Sequence, residues 1–517
     1  MFDVSTDVVL HSSISQASLK ATIHSIIKQS KSVNQVFILS DKEDSTLHEE
    51  LHQLVNNLFK VNWIISKDTL GHSLNQAFKK SDAASILYID NRDCEITLKL
   101  GAFDLFQILL NKNRKIGMIY VDYELEQEDK IQEVHLLKHH IGRVRDNQDY
   151  GKVFFYNKEA LQAIGFTDEK IKFNTLYDLR LKLSEKYELT HIANRYAGSL
   201  YRSVAAARGH NVFDYLLASK ESQLEAEEVL TGHLKRINAH LAAGEHYGPR
   251  PQAPKDVELK ATVIIPVNNR PEFIATAIKS VQKQTIQEVE VIVVVNGGPD
   301  DPTCEAVKSY MEGGDRYDAN KPAVHLIVYD LNNLGLCLNM GAAIARGEYY
   351  VQLDSDDRLK PDAIEKILSI YEEDPKIGMV IGSYEVWQKD DEGNYSRMEN
   401  LPVVTHDEWT EENGRNNLLR INGAGAPRSI PIQLIREIGF SVNEEPYARN
   451  YGEDYNMVLR ISEKQRIGRV WDAIYEVVRH SGGTDHSIDQ QTIDRNDEAK
   501  DYMREEAIKR RIKLNTR

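Results

Sequence analysis

The sequence is short of cysteine, of long apolar runs and of positive charge, and each shortage closes off a class of protein. Its three cysteines, Cys94, Cys304 and Cys337, form no close pair, which argues against a disulfide framework or a zinc site and fits a reducing compartment. No apolar stretch approaches the ~20 residues of a membrane span. Met1-Phe2-Asp3-Val4 lacks the basic start and apolar block of a secretory leader, so the expected location is cytoplasmic. With 64 Lys and Arg against 79 Asp and Glu, the net charge of -15 disfavours broad nucleic-acid binding, and an anionic ligand would need a local basic or metal site. What is present is a 517-residue chain with a 41% hydrophobic share, enough for at least two cores.

The order of apolar runs predicts α/β architecture twice. In the first half, strands at Asp7–Leu10, Val36–Leu39 and Ile86–Ile89 alternate with helices at Leu19–Gln29 and Leu70–Lys80, the pattern of a parallel sheet. Glu221–Leu241 reads as a polar amphipathic helix acting as an interdomain strut. Gly248-Pro249-Arg250-Pro251-Gln252-Ala253-Pro254 can sustain neither helix nor strand. From there the pattern restarts: strand Thr262–Ile265, helix Pro271–Gln284, strands Val289–Val295 and Ala323–Tyr329, helix Leu336–Arg346 and strand Tyr349–Leu353. The expected division is 1–204, a helical linker with a Pro-rich boundary at 205–256, a second domain at 257–495, and a charged helix with a basic tail at 496–517.

An internal repeat ties the halves together. Gly71-His72-Ser73-Leu74-Asn75 matches Gly335-Leu336-Cys337-Leu338-Asn339, and at the same offset Asp90-Asn91-Arg92-Asp93 matches Asp354-Ser355-Asp356-Asp357. Leu19–Ile23 tracks Ile274–Ile278 at a different offset. One fold used twice is the simplest reading.

The chemistry concentrates where Val351-Gln352-Leu353 runs into Asp354-Ser355-Asp356-Asp357. Strand ends of open α/β sheets are ligand sites, and oxygen ligands clustered there suit a hard divalent cation. A calcium loop is set aside, because Arg358 and Leu359 occupy the places of a ligand and of the obligatory glycine. Tyr451-Gly452-Glu453-Asp454-Tyr455 puts two acids at a helix start, where they could cap the helix or serve chemistry.

Over roughly residues 258 to 485 this series resembles the family 2 glycosyltransferases of the GT-A fold. The resemblance implies two GT-A-like domains, the first degenerate, and a metal-dependent, inverting transfer of a hexose from a nucleoside diphosphate sugar, expected to be UDP-linked, to a glycan or protein hydroxyl. Pro266, Asn268 and Arg270 match the first strand and nucleotide-contacting turn, although many members have an aromatic residue where Asn268 stands. Asn296 matches the residue that bonds the uracil ring, with an Asn-Gly turn as the plain alternative. Asn339 lies on the helix before the metal strand. Asp354, Ser355 and Asp356 match the Asp-x-Asp motif, with Asp356 on Mn2+ or Mg2+, Asp354 on metal or ribose, and His480 completing the metal site against its rival His486. Asp454 beside Glu453 matches the catalytic base, and Arg428 is a phosphate or acceptor contact.

In the first half Arg92 stands for Asp356, Thr175-Leu176 for Glu453-Asp454 and Arg202 for His480. A scaffold, an acceptor-binding surface or a homo-oligomer contact is the expected role for that half. His135, His139 and His140 read as a solvated helix face, and Lys509-Arg510-Arg511-Ile512-Lys513 as a tail that is solvated or touches anionic lipid at the inner face of a membrane. Alternatives kept open are a bifunctional polysaccharide polymerase, a nucleotidyltransferase, and a non-catalytic glycan-binding or assembly protein.

Overall fold

In a computed structural model, the described residues are 5–12, 15–128, 130–193, 199–205, 219–255, 257–390, 392–406, 409–421, 425–444, 452–480 and 490–516. They divide into two compact units, Met1–Ile237 and Asn238–Arg517. Each contains a twisted α/β sheet with helices packed on it, as the alternation of apolar runs requires.

In the first unit the strands are β1 (Thr6–His11), β2 (Val33–Ser40), β3 (Lys60–Ile65), β4 (Ser85–Ile89), β5 (Ile116–Val121), β6 (Val153–Asn157) and β7 (Glu188–Ile192), in the order β3-β2-β1-β4-β6-β5-β7. β6 is antiparallel to both neighbours, and the other pairs are parallel. β1 and β4 are buried along their whole length, so both faces must be covered, and apolar clusters lie on each. A smaller sheet carries Cys94–Leu98, Tyr201–Ala205, Tyr123–Gln127 and Lys130–Val134.

The second unit repeats the plan. Its strands β8 (Leu259–Val267), β9 (Val289–Val295), β10 (Ala323–Val328), β11 (Gly347–Gln352), β12 (Ile377–Lys389), β13 (Arg428–Pro431) and β14 (Arg466–Arg479) run in the order β10-β9-β8-β11-β13-β12-β14. Again one strand, β13, is antiparallel to its neighbours. The register agrees as well as the order. Val9 pairs with Tyr88 as Ile264 pairs with Gln352, Leu87 with Phe155 as Val351 with Ser429, and Met118 with Leu189 as Met379 with Ile467. These pairings reproduce both offsets of the sequence repeat, that of Leu19 with Ile274 and that of Asp90 with Asp354, so the change of offset is an insertion between matched elements.

Two segments sit differently from the sequence expectation. The helix predicted as a strut, Lys220–Arg236, packs within the first unit on the helix Thr175–Ser184. Its Glu225 carboxylate accepts the backbone N–H groups of Lys172, Phe173 and Asn174, and its His233 bonds Glu185. The Pro-rich stretch is strapped onto the second unit: Gly248 donates to the Lys464 carbonyl and Arg250 to that of Pro375. No helix among the described residues is long and apolar enough to cross a membrane.

The basic C-terminus is an integral part of the second unit. The helix Gln490–Asn515 buries Met503, Ala507 and Ile508, and with them the guanidinium-bearing side chains of Arg504 and Arg511. Arg511 donates to the Arg415 carbonyl and Arg510 pairs with Glu463, so these arginines do not form a solvated basic patch. Similarly, His135–His140 is not helical. His135 donates to or accepts from the buried Asp122, and His139 bonds Tyr150.

Candidate active site

β8 and β11 are adjacent central strands, and the chain leaves their C-terminal ends in opposite directions, where an open α/β sheet forms its ligand crevice. The residues singled out in the sequence collect there in two groups. The first lines a narrow cleft of about 30 Å3 walled by Pro266, Tyr350, Gln352, Asp354, Arg428, Glu453 and Asp454. Three elements supply its charges: the end of β11, the start of β13, and the first turn of the helix Glu453–Ile461. A larger hollow of about 360 Å3 bordered by Arg346, Glu348 and Arg436 gathers none of these acids, and its arginines are spent on Glu290 and on backbone carbonyls.

Within the cleft the Arg428 guanidinium donates to Asp454 Oδ2 at 2.6 Å, while Asp454 Oδ1 accepts the Tyr455 N–H. Both acids sit in the positive end of their helix, whose N-cap is Gly452 at φ 86°. Burial pushes the Asp454 carboxyl up, but Arg428 and Lys500 together hold it below the ordinary range. Glu453 goes the other way: burial first, and then the Asp454 charge, raise it to about 7. Two adjacent acids are thereby pushed in opposite directions, Asp454 toward its ionised form and Glu453 toward its protonated form. Lys500, on the C-terminal helix and nearly buried, lies over the Tyr455 ring at 5.4 Å. A pattern of charges in a polar helix carries no signal that one of them turns inward, and sequence reasoning did not find it.

The three aspartates of this stretch point to three places. Asp354 joins the cleft, its N–H donating to the Tyr475 hydroxyl and its carboxylate accepting from Gln352. Asp356 faces His480, with Oδ2 and Nε2 3.0 Å apart. Asp357 turns inward and accepts the Val478 N–H at 2.7 Å, tying β14 to the end of β11. Burial pushes up both Asp354 and Asp357, and the carboxylates beside them add to it, while Gln352 and the Arg428 charge offset part of the rise at Asp354. Ser355 is partly exposed between them. No cluster of three or more His, Cys, Asp or Glu poised around one point was found among the described residues. Asp356 and His480 do fit a metal as a pair, because carboxylate oxygen and imidazole nitrogen together suit Mn2+, with other positions left to a ligand's own oxygens. The His480 ring is held by Phe273, whose centroid is 4.3 Å away. His486 lies outside the described residues.

The turn after β8 brings Asn268 to Asn296, the Asn268 amide donating to Asn296 Oδ1 at 2.9 Å. Asn296 in turn donates to Cys337 Sγ. Asp301, which the sequence reading passed over, shapes this turn by accepting the N–H groups of Asn269 and Thr303. Arg270 starts the helix Pro271–Gln282 and lies over the Phe273 ring. Asn339 is not brought into the cleft's polar set. Its amide donates to the Phe440 carbonyl and its oxygen accepts the Phe440 N–H, which tethers the helix Leu334–Ile344 to the segment before the catalytic-side helix. Asn75 makes the same kind of two-way tether to Thr167 in the first unit, so the Asn of the repeat is a structural residue in both.

With this geometry in hand, comparison with known proteins is direct. Residues 262–429 match glycosyl transferase family 2. Over 150 residues the chain is 31% identical to chondroitin synthase of Escherichia coli, covering 29% of this chain and 20% of that protein. Over 137 residues it is 29% identical to glycosyltransferase GlyG of Streptococcus pneumoniae, covering 26% of this chain and 42% of that one. It thus spans less than half the length of these relatives. Residues 1–349 of S. aureus TarS in complex with UDP-GlcNAc align at 19% identity and a TM-score of 0.35, covering 44% of this chain and 62% of that one. The family 2 match begins at β8 and ends at the start of β13, so it includes Asp354, Asp356 and Arg428, while Glu453, Asp454 and His480 lie beyond it.

Proposed function

We propose that the second unit is a metal-dependent, inverting glycosyltransferase that moves a hexose from a UDP-linked donor to a hydroxyl of a glycan or protein. The observation that carries this reading is the convergence, at one sheet edge, of an ionised Asp454, a protonatable Glu453 and Asp354 beside the Asp356–His480 pair. The family 2 match and the polysaccharide-synthase relative support it. Asn268 and Asn296, already joined by a hydrogen bond, would meet the base through their remaining amide groups, since a side-chain amide both donates and accepts. Asp356 and His480 would hold Mn2+ or Mg2+, with Asp354 a metal or ribose contact, and the ion would supply positive charge against a departing diphosphate. Asp454 takes the proton from the acceptor hydroxyl as its oxygen bonds the anomeric carbon and the carbon–oxygen bond to the diphosphate breaks. A single displacement inverts that carbon.

We infer that the first unit is a copy of the same fold that does not transfer sugar. The shared strand order and register support this, together with what fills the corresponding sheet edge. His11 takes the place of Pro266, Tyr88 of Gln352, Phe154 of Arg428, and Leu176 of Asp454. Tyr88 stacks on Phe154 at 6.1 Å and bonds His11 Nε2 at 2.9 Å. Arg92, in the place of Asp356, grips Asp90 with two hydrogen bonds of 2.7 and 2.8 Å. A bifunctional polymerase would need a second base and a second cation site in this place.

The reading is tested by metal-dependent release of free nucleoside diphosphate from a panel of nucleotide sugars, comparing the full chain with Asp356→Ala. Release from one donor, dependent on Mn2+ or Mg2+ and lost in the variant, is expected. Pyrophosphate release would indicate a nucleotidyltransferase, and failure to bind any nucleotide would indicate a non-catalytic protein.

A further inference from the structure

Arg428 reads from sequence as a phosphate or acceptor contact, yet its guanidinium is buried and directed at an acid. It donates to Asp454 Oδ2 at 2.6 Å from a side chain that is 14% exposed, while the Asp454 side chain is 30% exposed. The two belong to different elements, β13 and the helix Glu453–Ile461. In the first unit both members of the pair are absent together, Phe154 and Leu176 standing in their places.

We propose, resting on the transferase reading, that Arg428 is a positioning residue for the general base: it fixes the Asp454 carboxylate in one orientation and assigns the single proton of the Glu453–Asp454 pair to Glu453. The outer lone pairs of Asp454 remain available for the acceptor's proton, because each carboxylate oxygen can accept twice. The charged and titratable groups facing the pair are Arg428 and Tyr350 from the sheet, Asp354 from the end of β11, and Lys500 from the C-terminal helix. Lys500 supports the same assignment from the other side, and Arg428 holds Asp454 Oδ2 directly through its hydrogen bond. In the transfer step the acceptor's oxygen–hydrogen bond breaks toward Asp454, the new glycosidic bond forms, and the electron pair of the cleaved bond leaves with the diphosphate. Asp454 ends the step protonated.

The experiment measures the pH dependence of nucleoside diphosphate release, and UDP affinity with Mn2+ by calorimetry, for the full chain, Arg428→Met and Arg428→Lys. The expected result for Arg428→Met is an acidic limb moved up by about one unit or more, release at a fixed pH on that limb reduced about tenfold or more, and UDP affinity within about twofold of the parent. Arg428→Lys should restore part of the shift, and it stands in if Arg428→Met does not fold. Loss of UDP affinity with an unmoved limb would overturn the proposal and make Arg428 a donor contact. A second readout does not depend on turnover: in infrared difference spectra at pH 6, Glu453→Gln should remove one component of the protonated-carboxyl band, Asp454→Asn should leave that component in place, and in the Arg428→Met background it should depend on both acids. If the parent binds no UDP, the transferase reading fails by itself, and the infrared pattern still decides whether Arg428 assigns the proton.

Discussion

Asp454 and Glu453 are neighbours in sequence, yet their surroundings push their acidities in opposite directions, and this has consequences that can be measured separately. Replacement of Asp454 by Asn keeps the size and an acceptor for the Tyr455 N–H but removes the proton acceptor, so transfer should fall by about 10²–10⁴-fold while UDP binding is retained. Substantial residual turnover would remove Asp454 from the role. Glu453 provides a stability test. Its folded acidity is raised to about 7, so the protonated form is the one favoured by folding: the stabilisation is complete below the unfolded value near 4.5 and is lost as pH rises through about 7. Glu453→Gln should therefore unfold at a higher temperature than the parent at pH 8, with a difference of order 3 kcal/mol at most that vanishes toward pH 4. An equal difference at both pH values would show that ionisation is not its cause.

At the scale of elements, the strand ending in aspartates was legible because a run of β-branched and aromatic residues stopped by acids can hardly be read otherwise. The order of helices and strands followed from periodicity for the same reason. What was not legible were contacts between distant segments: Arg428 with Asp454, Lys500 with the catalytic-side helix, and the inward turn of Asp357. A charged residue reads as solvated until a partner elsewhere in the chain covers it, and nothing local in the sequence announces that partner. Asn339 shows the converse error. Its place in the motif suggested ligand contact, but two hydrogen bonds to Phe440 make it a tether. Asn339→Ala is expected to cost about 1–3 kcal/mol of stability, measured by denaturant titration, with UDP affinity of the folded fraction unchanged. A selective loss of UDP affinity would return it to the donor site.

For the whole molecule, the repeat seen in a few short matches extends through seven strands and their register, because a sheet keeps its pairing while side chains at its edge change. Restoring one residue should not restore chemistry to the first unit. Arg92→Asp in an Asp356→Ala background is expected to release no nucleoside diphosphate, since Phe154, Thr175 and Leu176 still occupy the places of Arg428, Glu453 and Asp454. Measurable metal-dependent release from that double variant would mean that the first unit had been misread.

The closed edge of the first unit also predicts how the two halves of the gene should respond to random mutation. Tyr88 and Phe154 are core residues, so a polar change there lowers the amount of folded protein. Gln352 and Arg428 hold the same sheet positions, but changes there should spare abundance and remove output. A mutational survey scored once for abundance and once for product would mark matching positions of the two sheets in opposite channels, and the repeat would be visible as a pattern of tolerance even where the residues no longer resemble one another.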